Sequence, residues 1–501
     1  MKRTTSILIL MALLAALAAS CGGEATSTDT TAADAAAVTT EDPSAVKFVP
    51  DDLPDDLDFG GVETNWLVGD YMDAYIEDFW AEEQNGSVIN DKVYETRKNV
   101  EDRLNLKIAM EEINFAWADR EVYTTRAKQL VMAGDDTFDV IAGYGLASLI
   151  PEGGYFYELS GNKYINVDKP WWNKDMQTLM PTDSIYFLAG DGTLALIKHA
   201  GCVFFNQDQL DNLGKKENLY ELVREGKWTL DKMEEMITDT YQDLNGDTNR
   251  DYGDFYGVTY GDQNKFRAMP DAVDCQMYTR TKDGYELTFI TERTTDAFTK
   301  MQTLVSVNEN SYIPGNNTQR DDNIASFGGN YISKIFADGH ALFSFSLVGD
   351  AAAIYNNSKF TLGMVPIPKY DEAQSDYYTA SQRLGYFFIP SSAADADRAG
   401  AVIEAWSSDC YRNLMPAYFE TTLKARYSTD SDMAEMFDIM RENNRITFGT
   451  GYGTTELAIN CDVFKNVTNP DFNFVSDMES KRAQTEQQLK DLVEALNELE
   501  D

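Results

Sequence analysis

Two short apolar runs separated by a glycine constrain this chain most. In residues 190–214, GDGTLALIKHAGCVFFNQDQLDNLG, a β-prone run at 193–197 leads through His199, Ala200 and Gly201 into Cys202-Val203-Phe204-Phe205. Asn206-Gln207-Asp208 predicts the opening of a short helix, with Gly214 as its stop. Buried strands joined through a permissive glycine fit many α/β proteins, so the chemistry has to be sought elsewhere in the chain.

At 501 residues the chain exceeds what one hydrophobic core supports, and two or more lobes are expected. Hydrophobic residues make up 43% and aromatic residues 12%, enough for packed lobes and too little for a polytopic membrane protein. A formal net charge of −41 excludes nucleic acid and anionic lipid surfaces as partners, because both demand a basic footprint.

The N-terminus has the form of a targeting segment: Lys2-Arg3, an apolar stretch at 7–17, then Ala18-Ala19-Ser20-Cys21. The apolar stretch is too short to span a bilayer. The last four residues resemble a bacterial lipobox, with the usual leucine displaced to Leu17. Residues 1–21 are therefore read as a lipoprotein signal peptide, with Cys21 the acylated residue. Residues 22–52 follow as a flexible tether, since an Ala-, Thr- and Asp-rich stretch buries too little surface to fold. Cys202, Cys275, Cys410 and Cys461 are far apart and lack metal-ligand spacing, so they are read as mostly free and buried.

From residue 53 onward, strands and helices alternate, which predicts a mostly parallel sheet wrapped by helices. Strands are expected at 62–68, 106–113 and 138–142. Helices are expected at 71–84, at 90–105 and around Tyr123, Ala127, Leu130 and Val131, ended by Gly134. Thr229 is placed to cap a later helix carrying Met233, Ile237 and Tyr241. The C-terminal stretch 476–501 carries Leu489, Leu492, Leu496 and Leu499 at helical spacing and reads as a surface helix packed by one stripe.

The sharpest local motif is DLNGDTNRDYGD at 243–254. Asp243, Asn245, Asp247, Asp251 and Asp254 stand at positions 1, 3, 5, 9 and 12 of an EF-hand-type schedule, with Asn249 at position 7. Thr248 replaces the usual glycine at position 6 and Asp254 the usual glutamate at 12. A structural calcium ion is expected there, against the plainer alternative of a polar turn. Catalytic signatures are missing: there are two histidines, His199 and His340, and no GxSxG, HExxH or GxxxxGK[ST]. Gly449-Thr450-Gly451-Tyr452-Gly453 lacks the remaining features of a dinucleotide loop and reads as a plain loop.

Five phrases, in order, resemble one family. They are NDKVYETRKNVEDRLNLKI with AGDDTFDVIAG, VFFNQDQLDNLG, GHALFSFSLVGD, FTLGMVPIPKY, and SQRLGYFFIPSSAADADRAGAVIEAW. The chain resembles the family 1 extracellular solute-binding proteins, the carbohydrate receptors of bacterial ATP-driven (ABC) importers. That resemblance implies an α/β, two-lobed periplasmic-binding-protein-like (type II) fold with a hinge of crossing strands and a cleft between lobes. Crossings are expected at 200–205, 341–345 and 383–388, giving lobe 1 as 53–202 and 346–382 and lobe 2 as 203–345 and 383–501. It also implies a carbohydrate ligand, a membrane permease partner, a monomer, no catalysis, and a lipid-anchored place on the outer face of the cytoplasmic membrane. A peptide or another small polar solute on the same fold, and a surface-anchored glycosidase, are the alternatives.

A sugar receptor presents aromatic faces to ring C–H patches and planar polar groups to hydroxyls. Loops leaving the carboxyl ends of strands nominate Asp70, Trp117, Tyr144, Trp172, Ser346, Arg383 and Tyr452, with Trp117 and Tyr144 foremost. Trp228 is assigned to packing. The lipobox reading makes a direct prediction: Cys21→Ser releases the protein from membranes with its folded lobes intact. Retention after a high-salt wash overturns it.

Overall fold

In the computed structural model the chain builds two separate four-stranded sheets rather than one continuous one. The structure describes residues 49–71, 76–144, 153–215, 217–267, 269–282, 284–312, 324–327, 330–381, 384–420, 431–452, 457 and 459–500. The signal peptide, Cys21 and most of the tether fall outside them, as do Arg383 and the side chains of Trp117 and Cys461. Among the described residues no helix is long and apolar enough to cross a membrane.

The first sheet runs in the order β13-β3-β1-β2. Its strands are β1 (Val62–Tyr71), β2 (Leu106–Phe115), β3 (Val140–Gly143) and β13 (Tyr386–Phe388). β1 pairs parallel with both β2 and β3, and β13 runs antiparallel beside β3. Helix Val88–Leu104 follows β1 and buries Val93, Thr96, Arg97, Val100, Glu101 and Leu104, one face at helical spacing. It ends at Asn105, whose left-handed φ of 46° turns the chain directly into β2. Gly143, at φ +118°, lies so close to β1 that a Cβ there would stand 2.3 Å from the Gly69 carbonyl oxygen. Glycine alone fits that crossing point.

The second sheet runs β11-β4-β10-β5. It comprises β4 (Gly201–Asn206), β5 (Tyr256–Tyr260), β10 (Ala341–Leu347) and β11 (Leu362–Pro366). β4 pairs antiparallel on both sides, with β10 and β11, and β10 runs parallel to β5. Three two-stranded ribbons complete the set: β6 (Tyr278–Thr281) with β7 (Gly284–Leu287), β8 (Ile324–Phe327) with β9 (Asn330–Ser333), and β12 (Thr379–Ala380) with β14 (Asn444–Arg445).

Several expected signals operate as read. Asn206 caps helix Gln207–Asn212 by accepting from the Gln209 N–H, and Thr229 caps Leu230–Ile237 through the Lys232 N–H. Trp228 is fully buried, its indole N–H donating to the Pro366 carbonyl at 2.9 Å. Cys202, Cys275 and Cys410 are free and buried. The C-terminal stretch is helix Phe474–Glu500, with Leu489, Leu492 and Leu496 buried.

Three expectations are corrected. The β-prone run at 193–197 instead enters the one-turn helix Ala195–Lys198, where Thr193 Oγ1 accepts from the Ala195 N–H and turns the chain. Short apolar runs do not distinguish the two states by pattern. Residues 448–451 form a one-turn helix capped by Thr447, not a plain loop. The lobe boundaries also shift. β10 is an interior strand of the second sheet rather than a crossing, and β11, assigned to lobe 1, completes the other edge of β4. β13, assigned to lobe 2, instead fills the open edge of β3. β4 has two hydrogen-bonding edges to satisfy, so the chain stays in the second sheet until Pro366.

Two ion pairs on buried carboxylates hold the strand ends of this core. Lys265 Nζ meets Asp350 Oδ2 at 2.6 Å, with the two side chains 2% and 0% exposed, and Asp350 also accepts from the Leu347 N–H. Lys198 Nζ meets the buried Asp78 at 2.7 Å. Lys265→Met strands the Asp350 charge and is expected to destabilise the fold by about 3–5 kcal/mol in denaturant titration. Adding Asp350→Leu is expected to recover most of that loss.

Candidate functional site

The carboxyl ends of the first sheet form a row whose order follows the strands. β2 ends at Phe115 and leads into the turn Trp117–Asp119; β1 ends at Asp70-Tyr71; β3 ends at Gly143, followed by Tyr144. Tyr386 stands opposite Gly143, because β13 runs the other way. The row is aromatic: Tyr71 stacks on Tyr144 at 5.4 Å and tilts against Phe115 at 5.8 Å, and Phe115 stacks on Tyr123. The buried Asp70 carboxylate accepts from the Ile76 N–H at 3.3 Å and from Asn114 Nδ2 at 3.5 Å. Helix Ile76–Phe79, which follows β1, is tied through Asp78 to Lys198, three residues before β4. These strand ends therefore stand at the entry to the second sheet.

From the β13 end a hydrogen bond leads to a pocket elsewhere in the fold. The Tyr386 hydroxyl donates to the Gly451 carbonyl at 2.8 Å, which places the one-turn helix Phe448–Gly451 beside it. A cavity of about 230 Å³ opens there between residues 175–179, the β6–β7 ribbon and residues 445–449. Tyr285 and Phe448 stack at 4.3 Å on its wall, and Tyr278 meets Phe448 edge-on at 4.9 Å. Asp271 accepts from the Thr447 hydroxyl at 3.0 Å, and Asp175 accepts from the Ile446 N–H at 2.8 Å. Arg445 pairs with Asp274 at 2.8 Å. The ribbon is braced on the opposite wall, where Tyr285 donates to the Thr178 carbonyl at 2.7 Å and Arg280 pairs with Asp183 at 3.0 Å. A stacked aromatic face beside carboxylates, a guanidinium and a hydroxyl suits a neutral, hydroxyl-bearing molecule.

The nominated residues separate into groups. Asp70 and Tyr144 lie together on the row, and the turn carrying Trp117 continues it; Arg383 lies outside the described residues. Tyr452 is fully buried behind the pocket, its ring 4.9 Å from Phe448 and its hydroxyl 3.2 Å from Met180 Sδ. Ser346 is buried within β10, where its hydroxyl meets that of Ser344 at 3.2 Å. Trp172 donates from its indole to Glu404 Oε2 at 2.9 Å and lines a different cavity. Sequence reading missed Asp271, Tyr278, Tyr285, Arg445 and Phe448. Their one legible signal is Tyr285 in the short strand sequence GYEL, which no spacing rule connects to residues 445–449.

The 243–254 loop is a chain of side-chain-to-backbone turns. Asp243 accepts from the N–H groups of Gly246 and Thr248, Asn245 from that of Asp247, and Asp247 from that of Asn249. Asp251 accepts from the Gly253 N–H, and Thr248 has φ 65°. Asp254 is fully buried and accepts from the Tyr241 hydroxyl at 3.0 Å and from the Asp251 N–H at 3.3 Å. Among the described residues, no group of three or more His, Cys, Asp or Glu side chains is placed to hold a metal ion.

Burial pushes the Asp271 carboxyl up to about 7, with the Thr447 hydroxyl opposing it only in part. Burial likewise raises Glu404, to about 8. A carboxyl whose folded pKa is raised binds its proton longer in the native state. The stability carried by the protonated forms is present below about pH 4 and is lost as the pH climbs through about 7 and 8. The melting temperature is thus expected to fall between pH 5 and pH 8. Asp271→Asn and Glu404→Gln are each expected to flatten that slope and raise the melting temperature at pH 8; equal slopes in wild type and variants overturn the assignment.

No family model matches the chain, and no curated protein matches it. Solved structures do. An ABC substrate-binding protein of Listeria monocytogenes in complex with cycloalternan is 12% identical, with 86% of this chain and 99% of that one covered at a TM-score of 0.51. A cyclo/maltodextrin-binding protein complexed with maltotetraose is 10% identical, with 87% and 96% covered at a TM-score of 0.53. An ABC transporter solute-binding protein from Thermotoga lettingae bound with alpha-D-tagatose is 11% identical, with 86% and 100% covered at 0.51. This chain has the two-lobed α/β fold of the ABC-transporter solute-binding proteins.

Proposed function

We propose that this protein is an extracellular receptor of an ABC importer that captures a carbohydrate and delivers it to a membrane permease. The observation that carries this reading is the Tyr285–Phe448 pocket, with Asp271 and Arg445 beside the stacked rings. Cycloalternan, maltotetraose and tagatose bound to proteins of the same fold support carbohydrate as the ligand class. In this reading Cys21 carries the lipid anchor, the tether holds a monomeric receptor off the outer face of the membrane, and no bond in the ligand is broken.

Maltotetraose, cycloalternan and D-tagatose are the probes for calorimetry. Truncating a buried aromatic anchor commonly costs about 2 kcal/mol, or roughly thirtyfold in affinity. Phe448→Ala and Trp117→Ala are each expected to weaken the probe that binds by about that factor. No binding by any of the three sinks the carbohydrate reading, and release of shorter sugars by the purified chain replaces it with a glycosidase.

A structural calcium ion in the 243–254 loop belongs to the same proposal. Oxygen-bearing side chains at positions 1, 3, 5, 9 and 12 support it, as does the left-handed φ of 65° at Thr248, the position that glycine usually fills in such loops. Asp243, Asn245, Asp247, Asp251 and Asp254 would supply side-chain oxygens and Asn249 its carbonyl. An ion bound only by the native state adds about 2.7 kcal/mol at a hundredfold excess over Kd. Chelator is expected to lower the melting temperature and Asp247→Ala to abolish the difference; identical melting curves leave a polar turn.

A further inference from the structure

Asparagine precedes glycine at two steps of this chain, Asn85-Gly86 and Asn245-Gly246, which are far apart in sequence and built alike. All four residues are exposed. In each, the asparagine Oδ1 accepts from the N–H two positions on: Ser87 at 2.9 Å and Asp247 at 2.8 Å. In each, the glycine N–H donates to a carboxylate: Gly86 to Asp91 Oδ1 at 3.2 Å and Gly246 to Asp243 Oδ1 at 2.6 Å. Both glycines are left-handed, at φ +84° and +73°, and a Cβ on either would meet no atom within 4 Å. Neither glycine nitrogen is therefore crowded, by a side chain of its own or by its surroundings.

We propose that Asn85 and Asn245 are sites of self-modification, each deamidating through a cyclic succinimide to a mixture of isoaspartate and aspartate. The glycine nitrogen attacks Cγ of the preceding asparagine. An N–Cγ bond forms, the Cγ–Nδ2 bond breaks, and ammonia leaves with the proton that the nitrogen gives up. Water then opens the ring, at Cγ to give aspartate or at the backbone carbonyl carbon to give isoaspartate; nothing is oxidised or reduced. Both hydrogen bonds serve this sequence. The N–H at Oδ1 stabilises the negative charge that builds there as Cγ becomes tetrahedral, and the carboxylate holds the proton that the nitrogen must release. Asn308 and Asn469 make the same turn, accepting from the N–H groups of Asn310 at 2.9 Å and Asp471 at 3.1 Å. Glu309 and Pro470 follow them, however, so one nitrogen is crowded by a side chain and the other has no proton to release. Conversion adds a negative charge at each site: beside Asp91 in the first turn of helix Val88–Leu104, and among Asp243 and Asp247. Isoaspartate also routes the main chain through the former side chain, which undoes the turn.

The inference stands independently of the receptor reading and of any ion in the 243–254 loop. It is tested by keeping the full chain folded at neutral pH in heavy-oxygen water, then digesting it and mapping the peptides by mass spectrometry. Asn85 and Asn245 are expected to exchange their amide for a heavy-oxygen carboxyl about tenfold or more faster than Asn308 and Asn469, with isoaspartate among the products. Asp91→Ala is expected to slow conversion at Asn85 and to leave that at Asn245 unchanged. An intact amide at either Asn-Gly step, or equal conversion at Asn308 and Asn469, overturns the proposal. Conversion at Asn85 that keeps its rate or quickens in Asp91→Ala overturns the part given to the carboxylates.

Discussion

Backbone pairing of β4 on both sides is the constraint on which the rest of the structure depends. All six of its residues are buried, and it takes its ladder from β10 on one side and β11 on the other. A buried strand cannot leave those N–H and C=O groups unpaired. Satisfying them draws in segments some 140 to 160 positions away in the chain, and so decides which parts of the sequence belong together. Everything after Pro366 is then free to return to the first sheet, where β13 closes the edge of β3.

That return pass sets the site. Because β13 runs against β3, its first residue, Tyr386, arrives at the ends of the parallel strands, and its hydroxyl fixes the turn at Phe448–Gly451. The pocket wall is thus positioned by a hydrogen bond from the core, while burial raises its carboxyl, Asp271, to about 7. The part-buried pair Lys198–Asp78 and the buried pair Lys265–Asp350 act similarly at the strand ends of the two sheets. Charges in such places add little net stability when matched, yet a mismatch is costly, so they specify one arrangement of these ends over others.

Local chemistry was legible in the sequence wherever it acts locally. Asn206, Thr229 and Gly214 announce helix ends because a cap or a left-handed turn involves only neighbours a few positions away. The five family phrases gave the fold and the order of its strands. Sheet membership was not legible, since β11 and β13 are equally apolar and only the open edges of β4 and β3 distinguish them. The same limit applies to the site. Asp70 and Tyr144 follow from strand ends, whereas Asp271, Tyr285 and Phe448 meet only after three distant segments fold together. Tyr452 and Ser346 stand where loops or strand ends were expected to open, but both are packed inside, and Asp70 and Tyr144 at the strand ends are buried as well.

The β6–β7 ribbon is wedged from behind by the last helix. A Cβ on Gly284 would lie 3.1 Å from Val493 and 3.7 Å from Pro181, so the ribbon sits between helix Phe474–Glu500 and the segment it braces. One wall of the pocket is therefore set by a helix far from it in the chain: the ribbon keeps its place only while helix Phe474–Glu500 stays docked behind it, so whatever loosens that helix loosens the pocket with it.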